Sequence, residues 1–276
     1  MSTSWDAVPM LAKKYDPKKT KTKFPLLVQP KLDGVRVCWN GNRAYSRTGK
    51  PLNIGGQLLR NLETAARGIP LDGELYAHDA TFEQISGGAR RLVAKTHEVP
   101  LTFVVFDLPG TASCGDRLRH LKSLGFNPFD EIKDYNPGEI LTLEHSWLFS
   151  VSEIESQLQT YISRGFEGMI LRNPDAPYLG KRTPYLLKYK RFIEEEATVV
   201  GLIPGKGKHE GRLGALRVRG VSWVCNVGTG FSDEERERFW DSPECIMKKL
   251  ITVSYQEKTA NGTPRFPSFK GVRDYE

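Results

Sequence analysis

Through the first two thirds of the chain, hydrophobic and polar positions alternate with a period of two in short stretches, and recur every three or four residues in fewer places. Alternation sends every second side chain to one face of a strand, whereas the longer period builds one face of a helix. Residues 25–30 and 35–39 are therefore expected as strands, and Gly41-Asn42 between Asn40 and Arg43 marks a hairpin turn. Leu58, Leu59, Leu62 and the Ala65-Ala66 pair predict a helix that Gly68 stops. Alternation returns over 71–77, and the β-branched and aromatic run 101–108 reads as a central buried strand. Arg117, Leu118, Leu121 and Leu124 predict a helix ending at Gly125. Ser152 with Glu155 three residues on predicts a capping box for a helix to Arg164, closed by Gly165. Strands follow over 169–172 and 185–189.

Near residue 192 the pattern changes. Phe192 and Ile193 lead into three consecutive glutamates, an apolar run over 197–203 and the segment Gly205-Lys206-Gly207-Lys208. Short strands at regular spacing come next, clearest at 216–218, 223–227 and 251–256, with one helix over 233–240 capped by Ser232. Some 85 residues holding about five strands and one helix suit a small β-barrel such as an OB-fold. The expected organisation is two domains, 1–191 and 192–276.

Composition narrows the class. Hydrophobic residues make up 39% and charged ones 26%, enough to bury a core, which excludes a disordered chain. No apolar run reaches the roughly 18–20 residues needed to span a bilayer. Residues 1–23 show neither an apolar core nor a small-residue cleavage site, so a cytoplasmic protein is expected, or a periplasmic one had a leader been removed. Net charge is +7, and residues 1–50 carry eleven Lys/Arg against three Asp, so the excess is concentrated there. Clustered basic charge points first to nucleic acid and second to an anionic membrane; a solubilising, partly disordered arm over 13–23 is the plain alternative. The four cysteines are far apart with no C-x-x-C pair, and the five histidines form no H-x-x-x-H pair, which excludes structural zinc. Cys38 and Cys225 lie in alternating apolar runs and are expected as buried small hydrophobes.

Candidate chemistry starts at Lys31-Leu32-Asp33-Gly34-Val35-Arg36, between two expected strands. A lysine amine becomes nucleophilic when nearby cations and partial desolvation disfavour its ammonium form. Arg36, Arg47 and Lys50 are near enough in sequence to supply that surround, and the Asp33-Gly34 turn would keep the lysine exposed at a strand end. Ser46-Arg47-Thr48-Gly49-Lys50 offers cations and hydroxyls for phosphate oxygens, or is a polar loop. Asp72-Gly73-Glu74-Leu75 and Glu167-Gly168-Met169-Ile170 each set a carboxylate at a strand start. Two such carboxylates can converge on one cation or one ribose; a turn and a loop are the alternatives. Lys188 and Lys190 alternate on one strand face and suit a triphosphate between them, or an exposed sheet face.

The ordered set from Lys31 to Lys190, with the apolar strand ending Phe106-Asp107, resembles the covalent nucleotidyltransferases and, among them, minimal two-domain ATP-dependent DNA ligases. The likeness continues through Pro204-Gly205-Lys206-Gly207-Lys208, 211–216, Gly228-Thr229-Gly230-Phe231 and Arg265-Phe266-Pro267-Ser268-Phe269. The 205–214 connection is short, without a long DNA-clasping insertion. The resemblance implies an α+β fold: an antiparallel-sheet nucleotidyltransferase domain of ATP-grasp-like character, then a C-terminal OB-fold β-barrel.

It also implies roles. Lys31 would attack the α-phosphate of ATP and carry AMP to the 5′-phosphate of a nick, after which the 3′-hydroxyl displaces AMP. Gln29, Lys31, Arg36, Arg47, Glu74, Phe106, Lys188 and Lys190 would hold the nucleotide, with Phe106 stacked on adenine. Glu74, which could instead hold the ribose, and Glu167 would bind Mg2+ or Mn2+. Arg36, Arg47, Lys50, Lys181 and Arg182 would contact DNA, with either Lys181 or Arg182 matching the family arginine. The OB-domain motif is Arg265, Arg273 and Asp274, and it departs from the R-x-D-K form of larger ligases. The expected partner is nicked duplex DNA, bound by a monomer without a membrane or an obligate protein partner. An RNA ligase or mRNA-capping enzyme with the same lysine chemistry, and a non-catalytic nucleic-acid-binding protein, are the competing readings.

Overall fold

The computed structural model describes residues 8–54, 56–66, 68–90, 100–259 and 261–273. The chain divides at Lys190/Arg191 into two compact units. The first holds two sheets and four α-helices among its described residues. Its five-stranded sheet runs Leu11–Lys14, Arg182–Lys190, Gly168–Arg172, Leu26–Lys31, Ser146–Leu148. Its seven-stranded sheet runs Pro51–Leu52, Ala44–Ser46, Val35–Trp39, Leu71–Tyr76, Thr102–Asp107, Ile140–Thr142, Asn127–Pro128.

Alternation explains how the sheets pack. Leu26 and Val28 from one sheet join Val104 and Phe106 from the other in a single apolar core, to which the helix Val151–Ser163 adds Ile154, Leu158 and Tyr161. The opposite face of the seven-stranded sheet, through Val37, Trp39, Phe103 and Val105, packs on the helices Gly56–Ala65 and Cys114–Ser123. Thr102–Asp107 is buried at every position, because it is covered on both faces.

The second unit pairs five strands in the order Val224–Val227, Leu213–Arg219, Ile193–Pro204, Leu250–Tyr255, Ser268–Arg273, all antiparallel. Its helix Asp233–Asp241 starts at Ser232 with a complete capping box to Glu235. This is the strand and helix content expected of an OB-like unit. Among the described residues, an isolated parallel bridge from Thr229 to Ser268 joins the two ends of the sheet, and no continuous ladder closes it into a barrel.

Several local expectations need correction. The helix at 151 is entered from Ser150, not Ser152: Glu153 takes the N–H of Phe149 at 3.0 Å and the Ser150 hydroxyl at 2.8 Å. Ser150 has Glu153 at the same three-residue spacing as Ser152 has Glu155, so that spacing does not separate the true cap from its neighbour. The basic segment 13–23 begins as a strand rather than a loose arm, pairing in parallel with Arg182–Lys190. The pairs 102–107/140–142 and 127–128/140–142 are parallel too, so the first unit is antiparallel only in the main. Cys38 is buried as expected, whereas Cys225 is only partly buried on its edge strand. No helix among the described residues is long and apolar enough to cross a membrane.

Candidate active site

A cleft of about 700 Å3 opens between the two sheets of the first unit. The hexapeptide 31–36 explains its position. Lys31 ends a strand of one sheet and Arg36 lies in a strand of the other, so a single crossing sets the two cations on opposing walls. Gly34 makes the crossing tight: a Cβ there would sit 2.2 Å from the Leu75 carbonyl oxygen, and its N–H donates to Glu74 Oε1 at 3.0 Å.

Register places a carboxylate beside the lysine. Gly168 pairs with Lys31 on one side and Lys190 on the other. Glu167, one residue earlier, forms ion pairs with both ammonium groups. Lys31 Nζ also donates to the Leu32 carbonyl at 3.0 Å. Gly168 has φ +153°, and a Cβ would meet Tyr189 O at 2.3 Å, so only glycine allows this approach. Lys31 is thus not exposed at its strand end as expected; only 21% of its side chain reaches solvent. Burial pushes its ammonium below the ordinary lysine value; Glu74 and Asp33 oppose that, and Arg36 and Arg47 add to it. Burial likewise raises the Glu74 carboxyl, against the pull of Lys31, Arg36 and the Gly34 N–H.

On the facing wall Arg36 donates to both oxygens of Asp72, at 2.7 and 2.5 Å, and to the Met10 carbonyl at 3.1 Å. Its guanidinium lies 4.9 Å from the centre of the Phe106 ring. Gln29 is buried, with its amide nitrogen on the carbonyls of Phe106 and Leu143 and its oxygen on Arg172 Nε at 2.7 Å. Arg172 in turn holds Asp107 at 2.6 Å, and Asp107 also takes Arg117.

Lys31, Gln29, Arg36, Arg47, Glu74, Phe106 and Lys188 all line the one cleft. Glu167 sits against Lys31, and Lys190 against Glu167, rather than in the lining. The anion beside Lys190 is therefore the Glu167 carboxylate. Lys188 has its ammonium disfavoured by burial and by Lys31, Arg47, Arg182 and Lys14, which makes this wall strongly cationic. Lys50 and Lys181 are exposed and lie outside the lining. Arg182, also outside it, donates to the Ala12 carbonyl. In the second unit Arg265 pairs with Glu257, and Arg273 donates to Thr252 Oγ1 at 2.6 Å with Glu196 at 3.6 Å. Asp274 lies outside the described residues. Sequence reasoning missed Arg172 and the strand Leu11–Lys14, which line the cleft through Arg172, Leu11 and Ala12, and Tyr178, whose hydroxyl donates to Asp72 Oδ2 at 2.7 Å behind Arg36. Arg172 was visible as the one charge in the otherwise apolar strand Gly168–Arg172, which is a usable signal.

Among the described residues no group of three or more His, Cys, Asp or Glu could hold a metal ion. Glu74, half-buried in the cleft lining, and Glu167, ion-paired with Lys31 and Lys190, are carboxylates that could share a cation with phosphate oxygens and water.

The ATP dependent DNA ligase domain profile matches residues 9–190, and the DNA ligase OB-like domain profile matches 204–273. A DNA ligase of Haemophilus influenzae is 32% identical over 247 residues, covering 88% of this chain and 85% of its own. A DNA ligase of Archaeoglobus fulgidus is 29% identical over 90% of this chain, which spans 51% of that protein. Among solved structures, a Lig E DNA ligase described as binding DNA with a minimal scaffold aligns with TM-score 0.79 at 28% identity, over 96% of this chain and 98% of that one. A Chlorella virus DNA ligase-adenylate aligns with TM-score 0.57 at 26% identity, over 99% and 100%.

Proposed function

The chain belongs to the ATP-dependent DNA ligases, which seal nicks in DNA, and from that premise we propose how its own residues carry the reaction. Lys31 is the nucleophile. Its Nζ attacks the α-phosphorus of ATP, a P–N bond forms, and the bond to the departing pyrophosphate oxygen breaks. Glu167, already on the Lys31 ammonium, is the nearest acceptor for the proton that must leave first. The AMP then passes from Lys31 to the 5′-phosphate of the nick, and the 3′-hydroxyl displaces it to join the strand.

Such transfers depend mainly on positioning and on offsetting phosphate charge. Arg36 and Arg47, from one wall, and Lys188, from the other, supply that charge. Gln29 and Phe106 receive the base. Mg2+ held by Glu74 and Glu167 would neutralise phosphate oxygens further. Lys190 would serve the leaving group, while Lys50, Lys181 and Arg182 would contact nicked duplex. Arg265, Arg273 and Asp274 would orient pyrophosphate during the first step.

The observation that carries this reading is the placement of one half-buried lysine, flanked by Glu167, Glu74 and Arg36, on the wall of a nucleotide-sized cleft. Sealing assays on nicked DNA and nicked RNA duplexes, each with ATP and with GTP, test it. Nicked DNA with ATP should react fastest, as a monomer and with an affinity that falls steeply with salt. Preference for RNA, for GTP, or a flat salt response would contradict it.

A further inference from the structure

A single hydroxyl in the first unit fixes both acceptors of one guanidinium nitrogen. Arg36 Nη2 donates to Asp72 Oδ2 at 2.5 Å and to the Met10 carbonyl at 3.1 Å. The Tyr178 hydroxyl donates to that same Oδ2 at 2.7 Å and accepts the Met10 N–H at 3.0 Å. Arg36, Asp72, Tyr178 and Met10 thus close a ring of hydrogen bonds drawn from four separate segments.

We propose that Tyr178 is a positioning residue that holds Arg36 in register for a phosphate in the cleft. The inference rests on the reading of Arg36 as a phosphate contact. Asp72 is 1% exposed, so solvent cannot replace the hydroxyl on Oδ2. Without that hydroxyl the Met10 N–H loses its acceptor, and the chain entering the strand Leu11–Lys14 loses a tie. Arg36 keeps its Nε bond to Asp72 Oδ1 at 2.7 Å, which then acts as a pivot rather than one point of a fixed frame. Nη1 takes no part in this ring and would be the donor to a phosphate oxygen. The wider fold does not need the hydroxyl. The Tyr178 ring is seated beneath Arg117, 5.6 Å from its guanidinium carbon, and Asp72 keeps its pair with Arg36.

The test uses the full chain as wild type, Tyr178→Phe, Arg36→Lys and the double variant. Each is loaded with AMP, and single-turnover sealing of nicked DNA is measured beside the thermal midpoint. Tyr178→Phe should seal about 10–100-fold more slowly, the scale of a small misplacement of a positioning group, with its midpoint within a few degrees of wild type. The double variant should be no slower than Arg36→Lys, because both changes remove one function. Sealing at the wild-type rate by Tyr178→Phe, or losses that multiply in the double variant, would overturn the proposal. If Arg36→Lys itself seals normally, the assignment of Arg36 falls and this inference with it; if Arg36→Lys is slow and Tyr178→Phe is not, only the inference falls. Should Tyr178→Phe prove unstable, the Nε–Hε resonance of Arg36, assigned through its loss in Arg36→Lys, gives a second reading at low temperature. A shifted or broadened signal supports the proposal and an unchanged one overturns it.

Discussion

Replacing Asp107 by Asn probes the buried frame behind the cleft. Asp107 is 1% exposed and accepts from Arg117 Nε at 2.8 Å, Arg117 Nη2 at 3.1 Å, Arg172 Nη1 at 2.6 Å and the Leu108 N–H at 2.8 Å. Asparagine fills the same volume, so no cavity term enters. It removes the carboxylate charge paired with two buried guanidinium groups and turns an NH2 towards one of them. Stranding one buried cation costs about 3–5 kcal/mol, and with two involved the loss should lie near the top of that range. For a unit of this size each kcal/mol lowers the midpoint by about 2–4 °C, so a fall of about 8–20 °C is expected. Urea unfolding and a thermal scan, both followed by circular dichroism, would measure the free-energy loss and the midpoint shift, and Asp107→Asn/Arg117→Met should recover part of the loss by deleting one stranded charge. Burial raises the Asp107 carboxyl, but the charges and hydrogen bonds of Arg172 and Arg117 outweigh it and hold it below the ordinary value. Its contribution is therefore present above the unfolded value, about 3.9, and fades as pH falls through the lower folded one. The gap between wild type and Asp107→Asn should narrow in acid. A loss under about 1 kcal/mol at neutral pH, or a gap that widens in acid, would refute the reasoning.

Three further outcomes follow from the geometry. Gly168→Ala forces a Cβ against Tyr189 O at 2.3 Å from a φ of +153°; it should cost about 1–3 kcal/mol and, by moving Glu167 off Lys31, slow enzyme adenylylation in a single-turnover assay. Arg236 donates to the carbonyls of Leu213, Gly214 and Gly228 at 2.8, 3.0 and 2.7 Å; Arg236→Met should destabilise the second unit by about 3 kcal/mol or more, read from its unfolding transition. Glu195 is held down to about 2 by hydrogen bonds from Lys258, Tyr255 and Trp223; its contribution is present above the ordinary glutamate value and lost as pH falls from there towards 2, so Glu195→Gln should flatten the acid limb of a stability–pH curve.

The parts of this molecule legible in sequence are those set by local rules. Hexapeptide 31–36 announced a turn between strands, and the structure makes it the crossing between two sheets. Thr102–Asp107 was readable because burial on both faces leaves a continuous apolar run. The capping box at Ser232 carries its own signature within four residues. What stayed hidden depends on partners distant in the chain. Nothing near Gln29 reveals that Arg172 orients its amide, nor that Asp107 joins Arg172 to Arg117. The strand Leu11–Lys14 pairs in parallel with a segment some 170 residues away, and parallel pairing leaves no hairpin signal. Alternation put Lys188 and Lys190 on one face but could not show that Glu167 reaches across to the second of them.

The whole reaction turns on the side chain of Lys31. Purified protein incubated with ATP and Mg2+, then digested and mapped by mass spectrometry, should carry one AMP on the peptide containing Lys31, released when nicked duplex is added. Lys31→Ala should stay unlabelled. An adduct on another residue, an adduct that survives in Lys31→Ala, or wild-type protein that takes up no AMP would contradict the account.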